Sequence, residues 1–256
     1  MDLTVYYRIS DKGRPKTKLP NASKMACLRN CIAEFGASSV RVIADNCTEA
    51  TVAEIRSLGL EVEETSLGNS GSFVHMADRI IRDRAADDLV YLLEDDYLHR
   101  PGSRKLLLEG LAIADYVTLY DHPDKYVPAR DGGNPFNRPD LEPSRVYATG
   151  SVHWRTTNST TMTFACRVRL LAEDYPIWKE SCSGGTPNDF YAFLMLGGRA
   201  WRGMLYFLRK GERRRALRCV KHLPRGRARK IVSSVPAYST HTEEKALAPC
   251  FDWSSL

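Results

Sequence analysis

Three consecutive acids, Glu94, Asp95 and Asp96, follow the apolar run Val90-Tyr91-Leu92-Leu93. A buried strand ending this way places carboxylates at its carboxyl end, where open α/β sheets keep their ligand crevices. Adjacent carboxylates repel one another and require a cation. A divalent metal carrying a diphosphate meets that need, because hard cations take oxygen ligands. The same three residues also suit a solvated acidic turn, so the rest of the chain has to decide.

Other residues could join that chemistry. Asp45 and Asn46 close an earlier apolar run, 40–44, and a carboxylate there can accept from a base N–H or a ribose hydroxyl. A plain turn before a helix capped by Thr48 fits equally. The small residues Gly68-Asn69-Ser70-Gly71-Ser72 precede a helical pattern. Their backbone N–H groups and the helix dipole suit a phosphate, although a strand-to-helix turn uses the same residue types. Asp189 follows Pro187-Asn188 at a helix start, where the dipole favours its ionised form as a base, or where it is simply a cap. His241 and the group His153-Trp154-Arg155 are ambiguous: Trp154 is most simply core, whereas Arg155 could clamp a phosphate.

The elements that must hold these residues alternate. Strand patterns at 3–9, 40–44, 60–64, 89–93 and 116–120 are separated by helical patterns. Met25, Leu28, Ile32 and Phe35 share one helical face, and Phe73, Met76, Ala77 and Ile80 another. This rhythm predicts an α/β domain with a mainly parallel central sheet flanked by helices. The second half is less regular: residues 131–143 read as a loop, 146–165 as strands, and 187–194 as a helix start with Phe190, Phe193 and Leu194 on one face. With no internal repeat or linker, 1–256 reads as one domain, a binding half at 1–120 and an irregular half at 121–256.

Charge is unevenly placed. Of 37 basic and 31 acidic residues, residues 199–230 hold 13 of the former and, of the latter, only Glu212. That segment is at +12 and the rest of the chain at −6, an asymmetry that suits a local anionic partner. Its apolar residues and the glycines at 197, 198, 203 and 211 predict two short amphipathic helices that suit an anionic membrane surface, or else a core face with a solvated charged side. Seven cysteines without paired metal spacing read as reduced thiols, which suits the cytoplasm. The first residues read as a strand and not a signal peptide, and no apolar run approaches a membrane span.

Together these stretches resemble small GT-A-type glycosyltransferases. The resemblance is to the short enzymes of bacterial surface-polysaccharide clusters (O-antigen and capsule) and to a chlorella-virus glycosyltransferase domain. It rests on residues 91–99, 153–164, 187–190 and 239–241, and on Asp252-Trp253, in that order. It implies a GT-A-like fold, a nucleotide-sugar donor (UDP-linked) and Mn²⁺ or Mg²⁺. The acidic triplet takes the place of a DxD site, with Asp96 and His241 as metal ligands and Asp189 as the base near the acceptor hydroxyl. Arg8, Asp45, Asn46, Asn69, Ser70, Gly71, Glu94, Asp95 and Arg155 fall on the donor side, and His153, Trp154 and Thr160 beside the acceptor. The acceptor implied is a glycan or lipid-linked glycan, and the location the cytoplasm, at the inner face of the membrane. Two rival readings use the same residues. A metal-dependent nuclease or phosphotransferase would need further acids converging from other strands. A nucleic-acid-binding module would use 199–230, but the acidic body would repel a polyanion; no nucleic-acid partner is expected.

Overall fold

The computed structural model describes residues 3–13, 17–136, 144–223 and 228–256. Its elements run β1 (Leu3–Ile9), α1 (Lys24–Phe35), β2 (Val40–Asp45), α2 (Glu49–Ser57), β3 (Glu61–Thr65), α3 (Gly68–Asp83), β4 (Leu89–Glu94), β5 (Tyr97–His99), α4 (Ser103–Ile113) and β6 (Tyr116–Thr118). The second half continues with β7 (Val146–Ala148), β8 (His153–Thr156), β9 (Phe164–Arg167), α5 (Val168–Ser181), α6 (Asp189–Leu196), α7 (Ala200–Arg209), α8 (Arg213–Val220), β10 (Ile231–Val235) and β11 (Ser239–His241). Part of the expected loop, 137–143, and of the basic segment, 224–227, lies outside the described residues.

β1 is buried along its whole length, and β4 along all but its last residue. Strands buried on both faces read as unbroken apolar runs, the mark of a covered parallel sheet. The main sheet has the order β3-β2-β1-β4-β9-β6-β10-β8-β7. Its first four strands are parallel, and β9 and β8 run against the others. This is the helix-flanked, largely parallel α/β sheet that the strand–helix rhythm predicts.

The two sheet faces carry separate cores. Val5, Tyr7 and Ile9 of β1 pack with α1, α2 and α4, whereas Tyr6 packs with α3, α5 and α6. α6 is buried all round, from Tyr191 to Leu196, as a helix enclosed by protein must be. Caps set the helix starts: Ser23 accepts from the Ala26 N–H, Thr48 from Thr51 and Asn188 from Tyr191.

Chain order reverses at β1. The first crossovers carry the chain outward through β2 and β3, and α3 brings it back to β4 on the other side of β1. The carboxyl ends of β1 and β4 therefore flank a topological switch point, the place where such sheets open a crevice. A small antiparallel pair, β5 with β11, sets His241 opposite Tyr97, one residue beyond Asp96. Among the described residues no helix is long and apolar enough to cross a membrane, and all seven cysteines are free.

Candidate active site

The three acids at the end of β4 part company. Glu94 points to the α3 face, where Arg8, its register partner on β1, donates to it at 2.8 Å. Arg8 is only 7% exposed and also donates to the Asn69 carbonyl at 2.6 Å, its Oδ1 at 2.5 Å and Ser72 Oγ at 3.2 Å. Asp95 accepts from the Ser10 N–H at 3.0 Å, with Lys24 Nζ at 3.8 Å. Asp96 faces His241 Nε2 at 3.1 Å and Lys18 Nζ at 3.6 Å. The Glu243 N–H donates to His241 Nδ1 at 3.2 Å, which assigns the ring proton to Nε2, facing Asp96.

Burial raises the Glu94 pKa to about 6, against the lowering effect of Arg8; Asp96 raises it further. Burial and the charge of Asp96 also push Asp95 up. Asp189, the first residue of α6, accepts from the Phe190 N–H at 2.6 Å. Burial raises its pKa to about 6, while that N–H, His122 and Lys125 act the other way. Its charge in turn reaches Glu94. Glu94 and Asp189 both keep some exposed surface although protein crowds them. Partly exposed and near enough to interact, the two flank the crevice, or recess, that a switch point opens at the carboxyl edge.

Several members of this recess went unread in the sequence. His122, Asp124 and Lys125 follow β6, at the same carboxyl edge as the acids. Lys125 is buried, with Nζ 2.8 Å from Ser159 Oγ and 3.2 Å from Asp124 Oδ1. Asn134 donates to Ser159 Oγ at 3.0 Å, and Asn158 to Asn134 Oδ1 at 3.0 Å. The segment carrying Ser159 closes on the acids: Thr163 Oγ1 accepts from the Glu94 N–H at 3.3 Å, and Thr161 Oγ1 lies 2.7 Å from the Tyr97 hydroxyl. The available signal was the polar run at 156–163, too polar for a strand core and yet buried.

The remaining expected site residues divide. Asp45 is buried, and its Oδ1 accepts from Thr65 Oγ1 at 2.9 Å, the Leu67 N–H at 2.6 Å and the Gly68 N–H at 3.3 Å. Asn46, at a φ of 53°, donates to Asp45 Oδ2 at 2.8 Å. Residues 68–72 are the first turn of α3 rather than a loop before it, and the anion at that helix end is the Asp45 carboxylate. This corrects the reading of 68–72 as residues that precede the helix. Asn69 stays near the acids through Arg8, and a Cβ on Gly71 would meet Leu67 Cβ at 2.9 Å; Ser70 Oγ is buried without a hydrogen-bond partner.

Arg155 is paired with Asp121 and stacks 5.5 Å from the Tyr126 ring centroid, so its cation already has a carboxylate. Trp154 is fully buried, and its indole N–H donates to Thr149 Oγ1 at 3.0 Å. That corrects its place beside an acceptor: it is core, because alternate β8 residues face opposite sides. His153 is exposed, and Thr160 is buried with Oγ1 unpartnered.

Among the described residues no three His, Cys, Asp or Glu side chains converge on one point. Asp96 and His241 supply one carboxylate and one imidazole. That pair is too small for an all-protein cage, and it fits a hard cation that takes its other oxygens from a diphosphate.

No family model matches the sequence, and no curated protein matches it. Solved structures resemble the chain only distantly. Mannose-1-phosphate geranyltransferase from Thermus thermophilus is 11% identical over 91% of this chain and 74% of that one, with a TM-score of 0.46. Residues 1–349 of S. aureus TarS are 11% identical over 87% and 70%, at 0.44. Mouse xyloside xylosyltransferase 1 is 10% identical over 78% and 76%, at 0.38.

Proposed function

We propose that the chain is a glycosyltransferase that moves a sugar from a UDP-linked donor to a hydroxyl of a glycan or lipid-linked glycan. The observation that carries this reading is the recess at the β1–β4 switch point: it holds three acids with separate partners and faces Asp189, a carboxylate whose pKa stands near neutrality.

The departing diphosphate must be neutralised as its charge develops. Asp96 and His241 would hold Mn²⁺ or Mg²⁺, which would supply that neutralisation; to ligate through Nε2, His241 would carry its ring proton on Nδ1 and give up the Glu243 N–H. Arg8 keeps Glu94 ionised and fixes the start of α3. Lys18 and Lys24 keep positive charge beside Asp96 and Asp95. Asp189 takes the proton of the acceptor hydroxyl, a role that favours inversion at the sugar. A pKa near 6 keeps it both ionised and basic at neutral pH. Lys125, Ser159 and Asn134 form the polar wall through which a sugar hydroxyl can be oriented. The likeness of residues 91–99 and 153–164 to surface-polysaccharide enzymes supports that setting for the acceptor.

The test is nucleoside diphosphate release and thermal shift across nucleotide sugars, with and without Mn²⁺. A UDP-sugar with Mn²⁺ should raise the melting temperature and turn over, and Asp96→Ala should remove both effects. Turnover that persists in excess EDTA, or in Asp96→Ala, overturns the metal role. A panel in which no nucleotide binds overturns the reading.

A further inference from the structure

The basic segment takes no part in the recess. It forms a hairpin of α7 and α8 that turns at Gly211, whose φ of 75° suits glycine. The two short helices that the glycine spacing predicts are present, with Gly203 inside α7 where it packs against α8. A Cβ on Gly203 would lie 3.5 Å from Cys219 Sγ. Ala200, Phe207, Ala216 and Cys219 are buried.

The outer side of the hairpin is apolar as well. On α7, Trp201 is 59% exposed, and Leu205 and Leu208 are also exposed, at i, i+4 and i+7. On α8, Leu217 is 69% exposed and Val220 follows at i+3. Single exposed apolar residues are ordinary, but an arc of them on each of two adjoining helices marks an interaction surface. Arg209, Lys210, Arg213, Arg214, Arg215 and Lys221 are exposed around these arcs. The one acid, Glu212, pairs with Arg215. The far end of the segment is excluded: Arg229 turns onto buried Asp174 at 2.8 Å, and Lys230 Nζ donates to the Ile113 carbonyl at 2.8 Å.

We infer that this hairpin docks on an anionic lipid surface, its apolar arcs entering the headgroup region and its cations meeting phosphates. The charge selects the occupant. A second copy of the chain would meet this face through a two-fold axis and set cation against cation. A nucleic acid offers phosphates and stacking bases but no place for exposed Leu205, Leu208, Leu217 and Val220. Helices with Trp and Leu on one arc and Arg and Lys around it are what a bilayer interface takes up. The inference does not depend on the reaction proposed above, since vesicle binding is read without turnover.

The intact chain is mixed with vesicles of phosphatidylcholine alone, or of phosphatidylcholine with phosphatidylglycerol. Co-sedimentation is expected with the second only, and is lost as salt rises. Each basic residue near such a surface strengthens binding roughly fivefold, so R213Q/R214Q/R215Q should bind on the order of 100-fold more weakly. A second readout needs no charge variant. Trp154, Trp178 and Trp253 are buried, so a vesicle-dependent blue shift of tryptophan emission reports Trp201 and should vanish in Trp201→Phe. Equal binding to neutral vesicles, wild-type binding by the triple variant, or unmoved emission overturns the inference. So does a salt-sensitive complex with single-stranded RNA in place of vesicle binding.

Discussion

Arg8 and Glu94 are register partners on β1 and β4, and their side chains meet at 2.8 Å on the α3 face of the sheet. The pair sits where the sheet changes direction of travel, and through Asn69 and Ser72 it ties both strands to the start of α3. A cation so buried is stable only beside its carboxylate, and Glu94 stays largely ionised only beside its cation.

Arg8→Met leaves the Glu94 carboxyl in a crowded site without its cation. The Glu94 pKa should rise beyond about 6, and chemical denaturation should show a loss of about 3 kcal/mol. Adding Glu94→Leu removes the stranded carboxylate and should recover part of that loss. A double variant no more stable than Arg8→Met would show that the pair is not the source of the effect.

Asp189 gives a pH signature. Its folded pKa, about 6, lies above the ordinary carboxyl value of 3.8, so the native state binds the proton more tightly than the unfolded chain. Its stabilising contribution is therefore complete below the unfolded value and is lost as pH rises through about 6. Asp189→Asn should melt above the wild type at pH 8, with the difference fading near pH 4. Turnover should fall by roughly 10²–10⁴-fold. In the wild type, turnover should climb through pH 6 as the base ionises. A flat profile across that range would remove Asp189 as the base.

Asp96 and His241 should separate in a metal titration. Asp96→Asn should abolish the thermal shift that Mn²⁺ adds in the presence of UDP. His241→Ala should raise the Mn²⁺ concentration needed by at least roughly 10–100-fold, the scale on which losing even a ligand's hydrogen-bond partner weakens a metal site. An unchanged titration in His241→Ala would exclude it from the site.

Gly110→Ala tests the packing behind the sheet. A Cβ there would stand 2.6 Å from Val117 Cγ1 and 2.8 Å from Trp154 Cη2. Alanine ordinarily favours a helix over glycine by about 1 kcal/mol. Overpacking costs about 1–3 kcal/mol and should win, lowering the melting temperature. A stabilised variant would mean that Trp154 yields freely.

Much of the first half was legible because its signals are local. The apolar run of β4, the helical face of Met25, Leu28, Ile32 and Phe35, and Thr48 as a cap each act through neighbours a few residues apart. The acids were legible for the same reason, since adjacency in sequence fixes adjacency at a strand end. The start of α3 was misread because Gly68-Asn69-Ser70-Gly71-Ser72 carries loop propensities. The Asp45 carboxylate, from another strand, overrides them by accepting the Leu67 and Gly68 N–H groups.

Local residue pattern was enough for the layered α/β class, the carboxyl-end placement of Glu94, Asp95 and Asp96, and the split of charge between body and hairpin. Long-range packing was needed to set the three acids against different partners, to place Asp45 at a helix end and to bury Trp154 in the core. It alone carried Asp189 and Lys125 to one recess and set His241 against Asp96 through the pairing of β5 with β11. These outcomes follow from strand order and from which sheet face each helix covers. Both are settled by burying two apolar faces at once, a condition on the whole chain that no local window of residues expresses.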